Sequence, residues 1–331
     1  LVANRPTGAK WGIPGERPNY LFEEQLKGDD ANSRHADWWV FTLVEFLAGK
    51  LGERPSQILP GGARGAVVIT GDDDQAYLEK YDEQLTLLGD MPITYLLHPL
   101  TRHTQKTMFA MQQRNAGVDF GIHPDALETP ERYGECFDEQ ADWYRRLIGN
   151  HPVSVRNHGF LNDGYWGHLD SWLNHGVRIS SNLPGFDGHV LNGSLLPARL
   201  AWEGRLTTHW SVLTAVGDGV RFAAGMTDKE AGDLVLAVAD QIRQSAIPGV
   251  MVLNLHPQNV SETRAMHFAA KEIVRGGFIA WNLRQCLEWF DQVDGGIPAQ
   301  SIVSARSDSW IRRQWRRFNR LFGLNSINKI K

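Results

Sequence analysis

Residues 66–70, Ala-Val-Val-Ile-Thr, are apolar or β-branched at every position rather than at alternate ones. A strand with one face in water alternates apolar with polar residues. An unbroken run this short needs cover on both faces, as a strand has inside a parallel sheet flanked by helices. Similar runs recur at 93–97, 118–122, 153–155, 250–255 and 278–280. Between them, apolar spacing predicts helices over 77–88, 104–115, 139–148, 231–244, 262–275 and 283–290. Short apolar strands alternating with helices define an α/β domain on a parallel sheet, either open or closed into a barrel. Residues 176–225, rich in Gly, Asn, Ser and Thr, interrupt the rhythm and read as a strand-and-loop insertion lining a pocket.

Two flanking segments differ in character. Pro6, Pro14 and Pro18 with Gly8, Gly12 and Gly15 predict irregular coil. Within 37–51, Trp38, Trp39, Phe41, Leu43, Val44, Phe46 and Leu47 predict a largely buried helix, with Asn32 or Ser33 as its N-cap. Gly52, Pro55, Pro60, Gly61 and Gly62 then mark a break, dividing the chain into an N-terminal extension (1–62), the α/β domain (63–295) and a C-terminal segment (296–331). From 306 onward six arginines and two lysines face only Asp308, and Ile311, Trp315, Phe318 and Phe322 fall on one helical face. That basic amphipathic helix fits a surface-lying membrane helix and equally a helix docked on the domain.

Composition excludes other classes. A net charge of −4 is too small to draw the whole molecule to nucleic acid. The two cysteines, Cys136 and Cys286, allow at most one disulfide and no thiolate zinc site. No apolar run reaches the ~18 residues that cross a bilayer. No signal peptide is visible behind Leu1, which leads us to expect a cytoplasmic protein, peripheral to the inner membrane if the basic segment meets anionic lipid.

In a parallel α/β domain the reactive groups gather where strands end. Here 66–70 runs into Gly71-Asp72-Asp73-Asp74, 118–122 into His123, 153–155 into Arg156-Asn157-His158, and 250–255 into His256. Adjacent carboxylates repel one another unless a cation relieves them. Carboxylate with neutral imidazole is a donor set for Zn²⁺ or a similar divalent ion, with Mn, Co, Ni or Fe as alternatives. Such an ion would polarise a carbonyl and acidify water, while a nearby carboxylate and histidine serve as base and acid.

The ordered set resembles the polysaccharide deacetylase family (carbohydrate esterase family four). Thr70-Gly71-Asp72-Asp73-Asp74 is similar to the family's Thr-Phe-Asp-Asp-Gly at the Thr and both Asp positions, with Gly71 for Phe and Asp74 for Gly. Ile93-Thr94-Tyr95-Leu96-Leu97 resembles its next strand. Gly117 to His123 matches a Gly-x-x-Ile-Gly-x-His strand, Arg156 matches an arginine that orients the catalytic Asp, and Leu253-Asn254-Leu255-His256 matches the strand ending in the acid histidine. The resemblance implies an irregular (β/α)7-type barrel, with 63–295 as its catalytic domain. It also implies Asp72 as general base, His256 as general acid, Arg156 as orienter, and Asp73 and His123 as metal ligands.

One departure stands out. The family carries a second metal histidine four residues after the first, but here that position is Leu127. His158 is the expected substitute, ahead of His98 and His103, and Asp74 could also enter the coordination sphere. We expect Asp74, Trp166 and Trp202 to contact substrate, the tryptophans by stacking on sugar faces. The activity so implied is N-deacetylation of an acetamido sugar in a bacterial surface polysaccharide or its precursor. An amidase or esterase acting on another cell-envelope glycan precursor, and a catalytically idle glycan-binding relative, are the alternatives.

Overall fold

The structure is a computed structural model and describes residues 10–11, 34–52, 57–163, 167–184, 194–202 and 205–294. Nine strands form the main sheet: β1 (Gly65–Asp72), β2 (Ile93–Leu97), β3 (Val118–Ile122), β4 (Ser154–Val155), β5 (Ile179–Pro184), β6 (Ala198–Trp202), β7 (Arg205–Gly217), β8 (Gly249–Asn254) and β9 (Ile279–Trp281). Seven of them, in the order β1-β2-β3-β4-β5-β7-β8, pair in parallel, and β8 closes back onto β1. The fold is therefore a closed seven-stranded parallel barrel of the deacetylase kind. β6 lies antiparallel to β7 as a hairpin arm, and β9 lies beside the first half of β1, along residues 66–68. Apart from this sheet, Lys10–Trp11 pairs antiparallel with Asn162–Asp163.

The helices are α1 (His35–Leu51), α2 (Leu78–Leu88), α3 (Gln105–Arg114), α4 (Tyr133–Ile148), α5 (Leu169–Asn174), α6 (Gly219–Ala223), α7 (Asp228–Gln244), α8 (Arg264–Arg275) and α9 (Leu283–Val293). Local chemistry sets several starts. Thr104 with Thr107, Thr227 with Glu230, and Asn282 with Gln285 form reciprocal capping boxes.

Strand parity organises the core. On β1, Val67 and Ile69 join the cluster between barrel and helices, with Tyr81, Leu85 and Leu88 of α2. Ala66 and Val68 face the other way, into the barrel, with Leu96, Ile179, Val212, Val250 and Val252. α9 seals the barrel's lower mouth: Leu283, Cys286, Leu287 and Phe290 complete the interior cluster, and the Leu283 amide donates to Thr94 Oγ1. The upper half of the interior is polar, and Thr70 and Asp72 continue the inward line of Ala66 and Val68.

Three expectations need correction. Residues 176–225 are not an insertion, because they supply the barrel strands β5 and β7. Their Ser, Thr and Asn residues are buried, Ser181 and Thr214 inside the barrel against Arg156 and Ser180 and Asn182 on its helix side. Polar interior positions disguise a strand that is otherwise apolar. The 37–51 helix exists but is not buried. Arg34 stands at its N-cap position, and Trp38, Trp39, Val40, Leu43, Phe46, Leu47 and Leu51 are all exposed. Among the described residues its first turn is what is tied down: Asp37 accepts from Arg34, Ser194 and the Leu195 amide, and Arg34 donates to the carbonyls of Ile247 and Pro248 just before β8. Asn32, Ser33, the coil before them and the basic 306–331 segment lie outside the described residues.

β3 and β4 pack with no room for a side chain at Gly121. A Cβ on Gly121 would sit 2.2 Å from Ser154 Oγ, 2.6 Å from Leu96 Cδ2 and 2.8 Å from the Ser154 carbonyl oxygen. Gly121→Ala should cost about 1–3 kcal/mol through overpacking, read as a lowered urea midpoint. An unchanged midpoint would contradict this packing.

Candidate active site

The inward positions at the upper strand ends converge. Arg156, fully buried after β4, donates from Nη1 to Asp72 Oδ1 at 2.7 Å. Its Nη2 donates to Thr70 Oγ1 (2.8 Å), Ser181 Oγ (2.9 Å) and Thr214 Oγ1 (3.2 Å), and Nε donates to the Ser181 carbonyl (3.0 Å). The other Asp72 oxygen accepts from Asn254 Nδ2 at 2.8 Å. Burial pushes the Asp72 carboxyl upward, but Arg156, then His123 and His256, hold it below the usual carboxylate range. Asp72 is thus an ionised carboxylate of fixed orientation, with the Arg156 contact that the resemblance implies.

His256 lies across from it, with Nε2 3.5 Å from both Asp72 Oδ2 and Asp74 Oδ2. Its Nδ1 meets buried Asp218 Oδ1 at 2.5 Å, and its amide donates to Asp218 Oδ2 at 2.8 Å. Burial works against the imidazolium. Asp218, then Asp72 and Asp74, outweigh it and push His256 up to about 10. Sequence reasoning missed Asp218. It follows β7 directly, so recognising that stretch as a strand would have placed an Asp at its end. Asn254 bonds Asp72 rather than His256.

The acidic triplet divides its work differently from the expectation. The structure does not bring Asp73 to His123 and His158: parity turns it away from the interior. There it accepts from the Tyr81 hydroxyl and, at 3.2 Å, from the His98 amide. Asp74 takes its place. The chain after β1 turns through left-handed backbone, with φ of 36° at Asp74 and 60° at Gln75. Each such residue costs on the order of 1–3 kcal/mol unless its surroundings enforce it. The resembling motif has glycine at the first of these positions. The turn carries Asp74 Oδ1 to 3.2 Å from His123 Nε2 and 3.7 Å from His158 Nε2. Gly71, where the motif has Phe, sits under the Leu255 carbonyl, which a Cβ would approach to 2.8 Å.

The donor set suits a divalent cation. His123 Nδ1 lies 2.7 Å from the Arg156 carbonyl, an acceptor only, so Nδ1 carries the hydrogen. In the neutral ring Nε2 is then a lone pair, facing the carboxylate oxygen of Asp74. That oxygen is buried without a hydrogen-bond partner. Two acceptors turned on each other at 3.2 Å call for a cation or a proton between them. Ligands about 2.0–2.2 Å from one ion stand roughly 3.0–3.5 Å apart. The ligating atoms of Asp74, His123 and His158 all lie within 4.8 Å of one another. The residues fit the ion, and the structure brings His158, not Leu127, beside Asp74 and His123. His98 contributes to a neighbouring group with Asp125 and His158. His103 packs its ring on Tyr81 at 4.3 Å, away from these ligands.

The aromatic expectations fare otherwise. Trp202 pairs with Arg205 at the beginning of β7, whereas the reactive groups gather beyond its end at Gly217, so the structure does not bring Trp202 to the cluster. Trp166 lies outside the described residues.

No protein-family model and no curated protein match the sequence. Solved structures do. A polysaccharide deacetylase-type protein from Mycobacterium smegmatis is 18% identical, with TM-score 0.55 over 73% of this chain and 95% of its own. The Puue allantoinase is 14% identical, with TM-score 0.56 over 73% of this chain and 95% of its own. A polysaccharide deacetylase-type protein from Pseudomonas aeruginosa PAO1 is 13% identical, with TM-score 0.53 over 74% and 97%. The chain has the fold of the polysaccharide deacetylases, at sequence identities where the likeness is one of fold.

The His256–Asp218 pair has a pH signature. A histidine raised from 6.5 to about 10 on folding contributes stability that is complete below pH 6.5 and is lost as pH rises through 10. In chelator-treated protein, urea unfolding at stepped pH should show stability falling across that window, by at most about 1.4 kcal/mol per pH unit. Asp218→Asn should flatten the fall; parallel curves for the two proteins would contradict the assignment.

Proposed function

We propose that the chain is a divergent member of the polysaccharide deacetylase family, a metal-dependent hydrolase that removes the N-acetyl group from an acetamido sugar of a bacterial surface polysaccharide or its precursor. One observation carries the reading: Asp72, fixed by Arg156, and His256, backed by Asp218, flank the Asp74–His123–His158 group. An ionised carboxylate opposite a protonated imidazole is a base and an acid set apart by their surroundings.

A divalent ion held by Asp74, His123 and His158 supplies Lewis acidity to the acetyl carbonyl and to water. Asp72 accepts a proton from the attacking water, whose oxygen bonds the acetyl carbon. Arg156 and Asn254 keep both oxygens of Asp72 in place, so the carboxylate reacts without reorganising. As the C–N bond breaks, His256 Nε2 gives its proton to the departing nitrogen, and Asp218 stabilises the imidazolium beforehand. Acetate and the free amine result. Zinc is the first choice of ion because the donors are two imidazoles and one carboxylate.

The likeness to an allantoinase supports one competing substrate class, an amide outside any sugar. Acetate release should be measured on acetamido sugars, in parallel with hydrolysis of allantoin. We expect metal-dependent acetate release, abolished by chelator and lowered about 10²–10⁴-fold in Asp72→Asn with its metal retained. Undiminished release from Asp72→Asn would reject the base. Allantoin hydrolysis alone would move the protein to the other class, and glycan binding without turnover would identify an idle relative.

For location we propose the cytoplasm, with peripheral contact to anionic membrane through 306–331. The exposed apolar faces of α1 support a lipid partner, since a helix apolar all round calls for cover on every side. Among the described residues no helix is long and apolar enough to cross a membrane. The full chain should cosediment with phosphatidylglycerol vesicles, and deletion of 306–331 should weaken this; undiminished binding would remove that role.

A further inference from the structure

Of the three groups proposed to hold the ion, His158 is the least secured by its own backbone. It opens a short turn in which Gly159 has φ of 59°, and it is part-exposed. His123 directly follows β3, and Asp74 sits in the turn that leaves β1. What makes the His158 imidazole a ligand must come from elsewhere.

Asp125 Oδ2 lies 3.1 Å from His158 Nδ1. Asp125 is itself clamped. Its amide donates to Gln140 Oε1 at 2.8 Å, Gln140 Nε2 donates to its carbonyl at 2.6 Å, and its Oδ1 accepts from the Leu127 amide at 3.0 Å. On the far side stands His98. The Leu100 amide donates to His98 Nδ1 at 3.1 Å, so the hydrogen of that ring is on Nε2, 3.3 Å from the same Asp125 Oδ2. A carboxylate oxygen therefore faces two imidazole edges. His158 Nδ1, buried and otherwise without a hydrogen-bond partner, has this oxygen as its nearest acceptor, and a hydrogen kept there leaves Nε2, 3.7 Å from Asp74 Oδ1, as the free lone pair.

We propose that Asp125, supported by His98 and Gln140, is the positioning residue that fixes the tautomer and orientation of His158 and so completes a metal site that Leu127 leaves one histidine short. This deepens the metal-dependent reading and rests on it. Carboxylates behind metal-bound histidines raise ligand basicity, and their removal typically costs 10–100-fold in metal affinity. The arrangement also accounts for the second carboxylate–imidazole group, His98, Asp125 and His158. Its His98 nitrogen nearest the carboxylate is a donor, which suits a support and not a second ion.

The test uses the full chain. Zn²⁺ affinity and stoichiometry are measured by competition with a chromophoric chelator for wild type, Asp125→Ala, Asp125→Asn and His158→Ala. Asp125→Ala should bind one Zn²⁺ with 10–100-fold weaker affinity. Asp125→Asn, whose amide oxygen still accepts from Nδ1–H, should recover part of the loss. A merely structural role is separated by two further readouts on metal-free protein. The unfolding midpoint of Asp125→Ala should stay close to wild type, and ¹⁵N imidazole NMR should show the Nδ1–H tautomer of His158 in wild type and its loss in Asp125→Ala. Wild-type Zn²⁺ affinity in Asp125→Ala, an unchanged His158 tautomer, or two ions per wild-type chain with one lost in the variant would each overturn the proposal. Wild type that binds no Zn²⁺ would sink the metal-dependent reading instead; the tautomer comparison would then still judge the Asp125–His158 link separately.

Discussion

A fully buried arginine inside a barrel is tolerable only if every N–H finds an acceptor and its charge finds a partner. Each of the three Arg156 nitrogens donates, and the charge is paired, through Asp72, Thr70, Ser181 and Thr214, which come from β1, β5 and β7, while Arg156 itself follows β4. Removing either member of the pair would leave the other charge buried without its partner, a cost of about 3–5 kcal/mol. The same contacts hold four staves in register and fix the one carboxylate whose direction the proposed chemistry requires. Stability and reactivity share this layer.

The rest of the site follows from period two. Residues pointing inward are Ala66, Val68, Thr70 and Asp72 on β1, and Val250, Val252, Asn254 and His256 along and just past β8. Each strand is apolar low in the barrel, above the α9 plug, and polar where it leaves the sheet. The upper mouth thus collects ionisable groups in a poorly solvated place, where neighbouring charges move protonation states strongly. Asp72 is held ionised and His256 protonated by the groups they face. The left-handed turn at Asp74 and Gln75 adds a carboxylate that strand parity alone would not deliver.

Much of this was legible in the residues, and the failures have physical causes. The runs at 66–70, 93–97, 118–122 and 250–255 were readable because strands covered on both faces carry apolar residues at every position. β5 and β7 escaped notice because two of their inward residues, Ser181 and Thr214, answer the Arg156 guanidinium and are polar. The histidines and Arg156 were found because they follow readable strands, whereas Asp218 was lost with β7. The exchange of roles between Asp73 and Asp74 depends on backbone dihedrals in a tight turn, which spacing does not encode. Helix α1 was recognised by pattern, but composition does not say what covers an apolar surface. Trp202 was chosen for its residue type, and β-register put it at the other end of its strand.

The most direct test is diffraction from crystals grown with zinc, with an anomalous map at the zinc edge. We predict one peak bonded to Asp74, His123 and His158 at about 2.0–2.2 Å, with Asp73 still on the Tyr81 hydroxyl. A peak coordinated by Asp73, or no peak among these side chains in zinc-loaded protein, would contradict the account.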